Sequence, residues 1–459
     1  MIKYISMKKC IYITVFNNEQ YVNMCYLLLE SIFIYGNLDT DTEILIYTSE
    51  NFKNMIQNSS LMSDKICFEI NNAYNDIYKA CRARLDLFNL KSTKNYERIL
   101  YLDTDILVKD DVNKVFDVVT DDNLYVLQEG TINDSSEFWG NYLFGDEVAL
   151  YEDKTAFNSG ILLFNNCDKM KQLFQNITYH MNDSNVECIF YDQPYFVYNA
   201  FKMHCYNNKA LSKYAVMFDS YIFSDKVIHH FAGGPGIHGH KIDSMARFLY
   251  ILKDHMISFN IEKTIHYINA YLLPIIKTVN EPLEGNIFML HHTMEYTDVF
   301  LNKAKNLSNL VLNNNVKHIL EIGFNAGFST LLMLISNPKM HITCVDLGEH
   351  KYTRPCFEQL KRTFGDRIDI VFGDSRTTLP NLKNKYDVIH IDGGHETEVA
   401  ESDIIACYKL SQKGTIIIMD DYDFANLHEL WNKYVNIYNL QPVNIHTYTT
   451  LHHDIKYRN

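Results

Sequence analysis

The stretch RILYLDTDILVKD, at residues 98–110, decides the fold of the first half of this chain. Four largely apolar residues, from Ile99 to Leu102, run directly into Asp103 and Asp105, and the apolar run then resumes. In open parallel sheets, ligands bind beyond the carboxyl ends of the strands. Because side chains alternate along an extended chain, both carboxylates point to the same side. We therefore expect a buried strand that ends at a binding site.

Strand-like segments recur along both halves of the chain. In the first half they are CIYITVF, EILIYT, NLYVLQEG and SGILLFN, with the helical run YVNMCYLLLESIFIYG after the first. The second half contains HILEIG, HITCVD, IDIVFGD, YDVIHIDGG and GTIIIMDD, each of which ends in Gly, Asp or both. Strands that alternate with helices indicate parallel α/β sheets. We predict two α/β domains, at residues 1–250 and 286–459, joined by a helical linker at residues 251–285.

Composition excludes several classes of partner. The 459 residues are 47% hydrophobic and carry a net charge of −14, which argues against a nucleic-acid or anionic-membrane surface. No window reaches the ~18 apolar residues of a transmembrane helix. The ten cysteines form no CxxC pair, and the first residues do not resemble a secretion signal. We expect a cytoplasmic protein, in the host cytoplasm if the Asn-, Ile-, Lys- and Tyr-rich composition reflects an A+T-rich viral genome.

The paired carboxylates of Asp103 and Asp105 suggest a metal site. Two adjacent carboxylates disfavour each other's ionisation. A divalent cation removes that cost, and oxygen ligands suit Mg²⁺ or Mn²⁺, which would neutralise a diphosphate. The alternative is a solvated turn at the end of a strand, because Asp-x-Asp is a common pattern.

Six segments, in order, resemble glycosyltransferase family 8 over roughly residues 8–245. They are YITVFNNEQY, RARLDLF, YLDTDILV, AFNSGILLFN, YDQPYF and VIHHFAGG. The resemblance implies a Rossmann-like fold of the A type and retaining sugar transfer from a UDP-sugar to a glycan acceptor. It also implies that Asp103, Asp105 and His230, rather than His229, bind Mn²⁺ or Mg²⁺.

The same resemblance implies the donor contacts. It places Val15, Asn17 and Tyr21 against uridine, Arg84 towards the phosphates, Asn158 and Ser159 beside the donor sugar, and Asp192 and Gln193 near the reaction centre. We expect Asp192 to orient the acceptor or an oxocarbenium-like sugar rather than to act as a nucleophile. The alternative is a carboxylate that caps the helix starting near Gln193.

The sequence departs from the family after His230. The family places a lysine close behind the histidine, where it grips the diphosphate, but here the loop is longer, HFAGGPGIHGHK. Lys241 is the candidate, with His238 or His240 as alternatives. Glycines at 233, 234 and 236 would let the backbone approach a phosphate closely.

The second half contains a different nucleotide pattern, in which Glu321, Gly323 and Gly327 span a strand, a turn and the start of a helix. Such a turn brings backbone N–H groups and a helix N-terminus to a ligand. It is not the G-x-G-x-x-G pattern of nicotinamide dinucleotide sites. Asp346 ends the next strand, where an acidic side chain can accept hydrogen bonds from ribose hydroxyls. Asp374 and Ser375 end the third strand and would border an adenine.

Residues 286–459 resemble class I S-adenosylmethionine-dependent methyltransferases. VIHIDGGHETEVAESDI and GTIIIMDDYD are similar to the metal-dependent branch that methylates macrolide deoxysugars. The resemblance implies that Asp392, Asp420 and Asp421 bind Mg²⁺ and that His395 accepts the hydroxyl proton. This chemistry is reasonable because a cation lowers the pKa of a sugar hydroxyl and a histidine can then remove the proton. The alternative for His395 is a helix-cap or surface histidine.

Together these patterns predict a bifunctional enzyme that transfers a sugar and then methylates a sugar hydroxyl. Its cofactors would be Mn²⁺ or Mg²⁺ at the first site and S-adenosylmethionine with Mg²⁺ at the second. Two alternatives concern the second half, namely a non-catalytic binding module and a nicotinamide-dependent oxidoreductase. The patterns do not specify the donor sugar, the acceptor or the oligomeric state.

Overall fold

The computed structural model describes residues 7–134, 137–183, 191–217, 224–233 and 238–459. The chain forms two compact units. One covers Met62–Leu249 together with the chain up to Gln57, and the other covers Tyr250–Asn459 together with Asn58–Leu61. The predicted domain limits, with a separate linker at 251–285, stay a prediction.

The first unit is built on a sheet with the strand order β3-β2-β1-β4-β7-β6-β8, and a small sheet, β5-β10-β9, lies beside it. The strands are β1 (Lys9–Val15), β2 (Thr42–Thr48), β3 (Ile66–Ile70), β4 (Arg98–Leu102), β5 (Ile106–Val108), β6 (Leu124–Thr131), β7 (Thr155–Asn165), β8 (Tyr206–Asn207), β9 (Ala215–Met217) and β10 (Ile228–His230). β1 to β4 are parallel, whereas β7 is antiparallel to both β4 and β6.

Helices cover this sheet. They are α1 (Glu19–Tyr35), α2 (Glu50–Gln57), α3 (Ile77–Arg82), α4 (Asn113–Phe116), α5 (Asp168–Asp183), α6 (Gln193–Lys202) and α7 (His238–Tyr267), the last of which ends in the second unit. Asn18 begins α1 as its N-cap, because its side chain accepts a hydrogen bond from Gln20 N at 2.9 Å. The apolar residues of β1 and α1 are almost all buried, so both elements contribute to the hydrophobic core of this unit.

The segment RILYLDTDILVKD, at residues 98–110, lies where the two sheets of the first unit meet. β4 ends at Leu102 and β5 begins at Ile106, so Asp103 to Asp105 form the connection. The backbone of Asp103 donates to Gly160 O on β7 at 2.9 Å, and Phe231 N, just after β10, donates to Asp105 O at 2.8 Å. The backbone at both aspartates is thus held by bonds to β7 and to the residue after β10.

The second unit has one sheet, in the order β13-β12-β11-β14-β15-β17-β16. The strands are β11 (His318–Ile322), β12 (His341–Asp346), β13 (Ile368–Phe372), β14 (Tyr386–Ile391), β15 (Ser411–Met419), β16 (Gln441–Pro442) and β17 (Asp454–Tyr457). β11 to β15 are parallel and β17 is antiparallel to β15. The helices are α8 (Leu273–Val279), α9 (Leu301–Val311), α10 (Phe328–Ser336), α11 (Thr353–Phe364), α12 (Ser375–Thr378), α13 (Thr397–Leu410) and α14 (Ala425–Ile437).

The parallel strands of this sheet are nearly continuous apolar runs, as expected when helices cover both faces. Ile389, Ile417 and Trp431 belong to one buried cluster on the side of α13 and α14. The prediction of two Rossmann-like α/β domains is confirmed. Among the helices of the described residues, none is both long and apolar enough to cross a membrane.

Candidate active sites

A cavity of about 520 Å³ opens beyond the end of β4 in the first unit. Most of the residues predicted for the first site line it, and these are Tyr21, Arg84, Asp103, Asp105, Asn158, Ser159, Asp192, Gln193, His230 and Lys241. Val15 and Asn17 are not among the described residues that line it. Their neighbours Thr14 and Phe16 do line it, because alternate side chains of β1 face opposite sides.

Asp103, Asp105 and His230 form a compact cluster in this cavity, with ligand atoms within 4.8 Å of one another. Gly160 on β7 makes room for them, since a Cβ atom there would overlap His230 Cε1 and lie 2.8 Å from Asp103 Oδ2. Two carboxylates and an imidazole are a donor set that suits a divalent cation. The cluster therefore fits the metal that the family resemblance implies.

Lys241 on α7 places its ammonium group on the same cluster. Its Nζ lies 2.5 Å from Asp105 Oδ2, and His230 Nε2 lies 3.2 Å from Asp105 Oδ1. Burial raises the pKa of Asp105, but the charges of His230 and Lys241 outweigh burial and hold that pKa well below its usual range. Of the basic residues considered after His230, Lys241 is the one that lines the cavity, whereas His240 is exposed. The side chain of His238, and Gly234 and Gly236, lie outside the described residues; Gly233 lines the cavity.

Arg84 connects the cluster of Asp103, Asp105 and His230 to Asp192. Its guanidinium lies 2.9 Å from Asp192 Oδ2 and 3.4 Å from Asp103 Oδ1, and it donates to Ser159 O at 2.6 Å. It also packs over the ring of Tyr101, with 4.7 Å from Cζ to the ring centroid. The guanidinium is buried, and its charge is shared between two carboxylates.

Asp192 is buried at the N-cap position, immediately before α6, and its side chain makes no capping hydrogen bond to that helix. The alternative of a helix cap is therefore wrong. Burial raises the pKa of Asp192 to about 6, although the charge of Arg84 opposes the increase. Nearby, Gln193 Oε1 accepts from Ser159 N at 3.3 Å, and Asn158 Nδ2 donates to Glu129 Oε2 at 3.1 Å.

The second unit contains a larger cavity, of about 1320 Å³, beyond the ends of β11 to β15. The predicted residues that line it are Gly323, Asp346, Asp374, Ser375, Asp392, His395 and Asp421. Gly323 has φ +90, and a Cβ atom there would overlap the carbonyl oxygen of Asp392. This turn requires glycine, for both its backbone conformation and its close approach to β14.

Asp346 at the end of β12 is fixed by backbone donors. Its Oδ2 accepts from Phe324 N and Asn325 N, both at 2.8 Å, and its Oδ1 accepts from Gly348 N at 2.7 Å. Carboxylate oxygens retain further acceptor capacity in this arrangement. Asp374 pairs with Arg376 at 2.5 Å, and this hydrogen bond lowers the pKa of Asp374.

Asp392, Asp420 and Asp421 also bring carboxylate oxygens within 4.8 Å of one another. Lys303 on α9 lies among them, with Nζ 2.6 Å from Asp420 Oδ1 and 3.9 Å from Asp421 Oδ1. Burial and the charge of Asp420 raise the pKa of Asp392 well above its usual range. Three carboxylates next to one ammonium suit a divalent cation, which would share Asp420 with Lys303. Sequence reasoning missed Lys303, because α9 (LNKAKNLSNLV) carries several polar residues and nothing in its local pattern singles out this lysine.

His395 lies half-exposed at the rim of this cluster, with Nε2 2.8 Å from Asp421 Oδ2. The hydrogen bond to Asp421 is the main cause of a raised pKa at His395. Asp421 has φ 52, a backbone conformation that L-residues rarely adopt. The hydrogen bond to Asp421 can hold the imidazole of His395 so that it presents a basic nitrogen to the cavity.

Glu321, Gly327 and Asp420 are not among the described residues that line this cavity. Glu321 is buried behind it, where it accepts hydrogen bonds from Thr330 and lies 3.1 Å from His390 Nδ1. Gly327, at φ 77, packs against Phe324. These geometries do not place Glu321 or Gly327 against a cofactor in the cavity.

Comparisons with known proteins identify two regions. Residues 39–233 match the family model of glycosyl transferase family 8, and residues 320–422 match the family model of a methyltransferase domain. No curated protein matches the chain. The sugar-methylating, metal-dependent branch stays a prediction.

Three solved structures are among those with a partial similarity to this chain. The bifunctional glycosyltransferase WbbM is 15% identical, with a TM-score of 0.38, over 53% of this chain and 50% of that one, so the match spans half of its length. The galactosyltransferase LgtC, in complex with donor and acceptor sugar analogues, is 14% identical, with a TM-score of 0.38, over 52% of this chain and 95% of that one. A candidate O-methyltransferase from Klebsiella pneumoniae is 17% identical, with a TM-score of 0.29, over 36% and 83%.

The two family models confirm the resemblances that the sequence motifs indicated. The chain joins a region that matches the model of glycosyl transferase family 8, at residues 39–233, to a region that matches the model of a methyltransferase domain, at residues 320–422.

Proposed function

We propose that the first unit transfers a sugar from a UDP-sugar to a glycan, and that the second methylates a sugar hydroxyl with S-adenosylmethionine. The observation that supports both activities is that each cavity borders a carboxylate cluster of metal-binding type beside a candidate reacting group. These groups are Asp192 in the first cavity and His395 in the second.

In the first site, Asp103, Asp105 and His230 would hold the divalent cation. When bound, the cation would neutralise charge that develops on the diphosphate. Lys241, already 2.5 Å from Asp105, is close enough to turn towards the phosphates when the donor binds. The guanidinium of Arg84 pairs with both Asp192 and Asp103 and so offsets the repulsion between these two carboxylates. It also fixes the Asp192 carboxylate in one orientation.

Asp192 would orient the acceptor hydroxyl or stabilise positive charge on the sugar ring. Its buried position against Arg84 holds the carboxylate in place. Asn158, Ser159 and Gln193 form a hydrogen-bonded wall next to it, and would select the donor sugar. A buried carboxylate of this kind is suited to stabilise a cationic transition state.

In the second site, S-adenosylmethionine would lie along the ends of β11 to β13. Asp346 would accept from the ribose hydroxyls, the turn at Gly323 would allow close approach, and Asp374 with Ser375 would border the adenine. Asp392, Asp420 and Asp421 would hold a cation that lowers the pKa of the acceptor hydroxyl. His395, held by Asp421, would accept the proton.

Neither alternative for the second half is favoured. An oxidoreductase is opposed by the methyltransferase family match over residues 320–422. A non-catalytic module would not require the paired His395 and Asp421 at the cavity rim. A cytoplasmic location stays a prediction.

The experiment that tests this function measures the two activities separately on the full-length chain. A panel of UDP-sugars with Mn²⁺ should reveal one donor that is hydrolysed or transferred. Labelled S-adenosylmethionine should transfer its methyl group to a glycan that carries this sugar. EDTA should stop both reactions, and Mg²⁺ should restore the second. Absence of binding to any UDP-sugar, or to S-adenosylmethionine, would reject the corresponding half of the proposal.

Joining the two enzymes in one chain suggests an order of reaction. Tethering raises the effective concentration of one site's product near the other to about the millimolar range for short linkers. This is useful when the product of one reaction is the substrate of the next. Sugar transfer leaves new free hydroxyls, so methylation would follow it and modify the newly added sugar. The reverse order would need a methylated nucleotide sugar as donor.

A further inference from the structure

Buried ionisable side chains form a row across one face of the sheet of the second unit. Glu321 on β11 lies opposite His390 on β14, and the register of β14 with β15 and of β15 with β17 places Asp420 and His453 next to them. All four side chains have 0% exposure. The row lies behind the cavity, and the proposed methyl transfer does not use His390 or His453.

Asp420 connects this row to the cavity, because its two oxygens have different surroundings. Oδ1 faces Lys303 at 2.6 Å and accepts from Asp421 N at 2.7 Å. Oδ2 faces the opposite side, where it lies 3.3 Å from His390 Nε2 and 3.3 Å from His453 Nε2. One carboxylate oxygen and two imidazole nitrogens therefore converge on a point that the aspartate cluster does not occupy.

The spacing of these atoms matches the edge of a metal coordination tetrahedron. Two ligands that are each about 2.1 Å from a tetrahedral Zn²⁺ lie about 3.4 Å apart. The two nitrogen–oxygen separations of 3.3 Å are close to this value. Direct hydrogen bonds from nitrogen to a carboxylate are usually shorter, at about 2.7–2.9 Å when charge-assisted.

His453 is the second, independent indication of a ligand. It is completely buried, and neither of its ring nitrogens has a hydrogen-bond partner among the described residues. Its Nε2 is near Asp420 Oδ2 but is not aligned to donate to it. A buried polar group without a partner costs about 1–3 kcal/mol, so an ion that accepts its lone pair would remove that cost.

Glu321 supports His390 in the way that outer carboxylates support metal-bound histidines. Its Oε1 lies 3.1 Å from His390 Nδ1, so a proton there leaves Nε2 free to face Asp420. Such carboxylate–histidine pairs orient the ring and increase its basicity as a ligand. Without an ion, a proton on Nε2 would bridge His390 and Asp420; a metal ion would replace that proton.

We propose that His390, Asp420 and His453 bind a transition-metal ion of the Zn²⁺ type, separate from the aspartate cluster that faces the cavity. Imidazole and carboxylate ligands suit this class of ion. The ion would join β14, the end of β15 and the residue before β17, and leave its fourth position to an exogenous ligand such as water. It would also fix the orientation of Asp420 towards the cavity.

The test uses the full-length chain, prepared without a polyhistidine tag and measured without S-adenosylmethionine or acceptor. After treatment with EDTA and dialysis, the protein is titrated with Co²⁺, which absorbs visible light much more strongly in tetrahedral than in octahedral sites. We expect about one equivalent of tetrahedral Co²⁺, which Zn²⁺ displaces. Absence of tetrahedral bands in the unmodified chain would overturn the proposal, whatever any variant does.

Variants locate the ion. His453→Gln and His390→Gln should each lose about one equivalent of Co²⁺ and of Zn²⁺. His452→Gln is the matched control, because His452 is the adjacent residue and bonds to Asp423 instead; it should keep the full amount. Asp392→Asn should also keep the tetrahedral ion. Equal metal content in His452→Gln and His453→Gln, or loss in Asp392→Asn alone, would overturn the proposal. Methyl transfer is assayed separately, so its presence or absence does not affect this result.

Discussion

The two carboxylate clusters of this chain differ in how their charge is balanced. In the first unit the two aspartates of the cluster lie next to different cations, with Arg84 at 3.4 Å from Asp103 and Lys241 at 2.5 Å from Asp105. In the second unit, Lys303 contacts Asp420 and is 3.9 Å from Asp421.

Asp392 of the second cluster has a raised pKa because burial and its acidic neighbours disfavour its charge. Asp105 of the first cluster has a lowered pKa because His230 and Lys241 favour its charge. A divalent cation would therefore relieve more repulsion in the second unit than in the first. The comparison teaches that two clusters of metal-binding type can have different needs for a metal.

The largest expected effect is the loss of one activity without the other when a residue of one site is changed. Asp105→Asn should reduce sugar transfer by at least about 100-fold and leave methyl transfer unchanged when the acceptor is a glycan that already carries the transferred sugar. His395→Ala should do the reverse, because loss of a general base costs about 10²–10⁴-fold. Both activities are assayed on each full-length variant.

Two aspartates that pair with residues outside the proposed sites serve as controls for this test. Asp110→Asn, whose side chain pairs with Lys114, and Asp423→Asn, which pairs with His452, should preserve both activities at close to the original level. A loss of both activities in Asp105→Asn, with the fold intact by circular dichroism, would contradict the separation of the sites.

Asp346 should matter for cofactor affinity only in the second unit. Asp346→Ala should weaken binding of S-adenosylmethionine by about 10–100-fold, since a charged hydrogen bond contributes about 1.5–3 kcal/mol. Calorimetry measures this directly, and Asp366→Ala, a change at an exposed carboxylate, is the control. Unchanged affinity would reject the ribose contact.

Replacing the lysine beside each cluster tests how the charges of the two clusters are balanced. Lys303→Met should tighten binding of Mn²⁺ at the second cluster by at least about tenfold, because the ammonium competes for a buried carboxylate that is costly to leave unpaired. Lys241→Met should change Mn²⁺ affinity at the first cluster less, since Arg84 and His230 remain. Titration of Mn²⁺ followed by electron paramagnetic resonance measures both. An equal effect at the two sites, or weaker binding in Lys303→Met, would contradict the difference.

The smallest effects concern pH. Sugar transfer needs ionised Asp192, whose pKa is about 6, so its rate should rise as pH increases through about 6 and then level off. Methyl transfer needs neutral His395, whose pKa is raised above 6.5 by Asp421, so its rate should rise at higher pH than sugar transfer. The two pH–rate profiles of one preparation measure this; coincident profiles would count against one or both assignments.

The sequence was sufficient to predict the two α/β units and most of the first cavity, because strand periodicity and acidic strand ends are local patterns. Val15 did not fall in the cavity, since a one-residue shift along β1 exchanges the two faces of the strand. Tyr21 and Arg84 lie in the cavity, where the family motifs had placed them.

Long-range contacts account for most of what was missed in the second unit. Lys303 reaches Asp420 from a helix more than a hundred residues earlier, and no local pattern indicates that pairing. Glu321 lies next to a glycine turn in the sequence, but its side chain faces His390 inside the sheet. Only the register of neighbouring strands reveals that orientation.

The central claim is that two transferase sites act in sequence on one glycan, and one labelling experiment tests it most directly. Purified full-length protein is incubated with labelled S-adenosylmethionine, an acceptor glycan and the active UDP-sugar. The account predicts that label enters the glycan only when the UDP-sugar is present, and that Asp105→Asn protein incorporates none. Label on the free UDP-sugar, or on the acceptor without any donor, would contradict it.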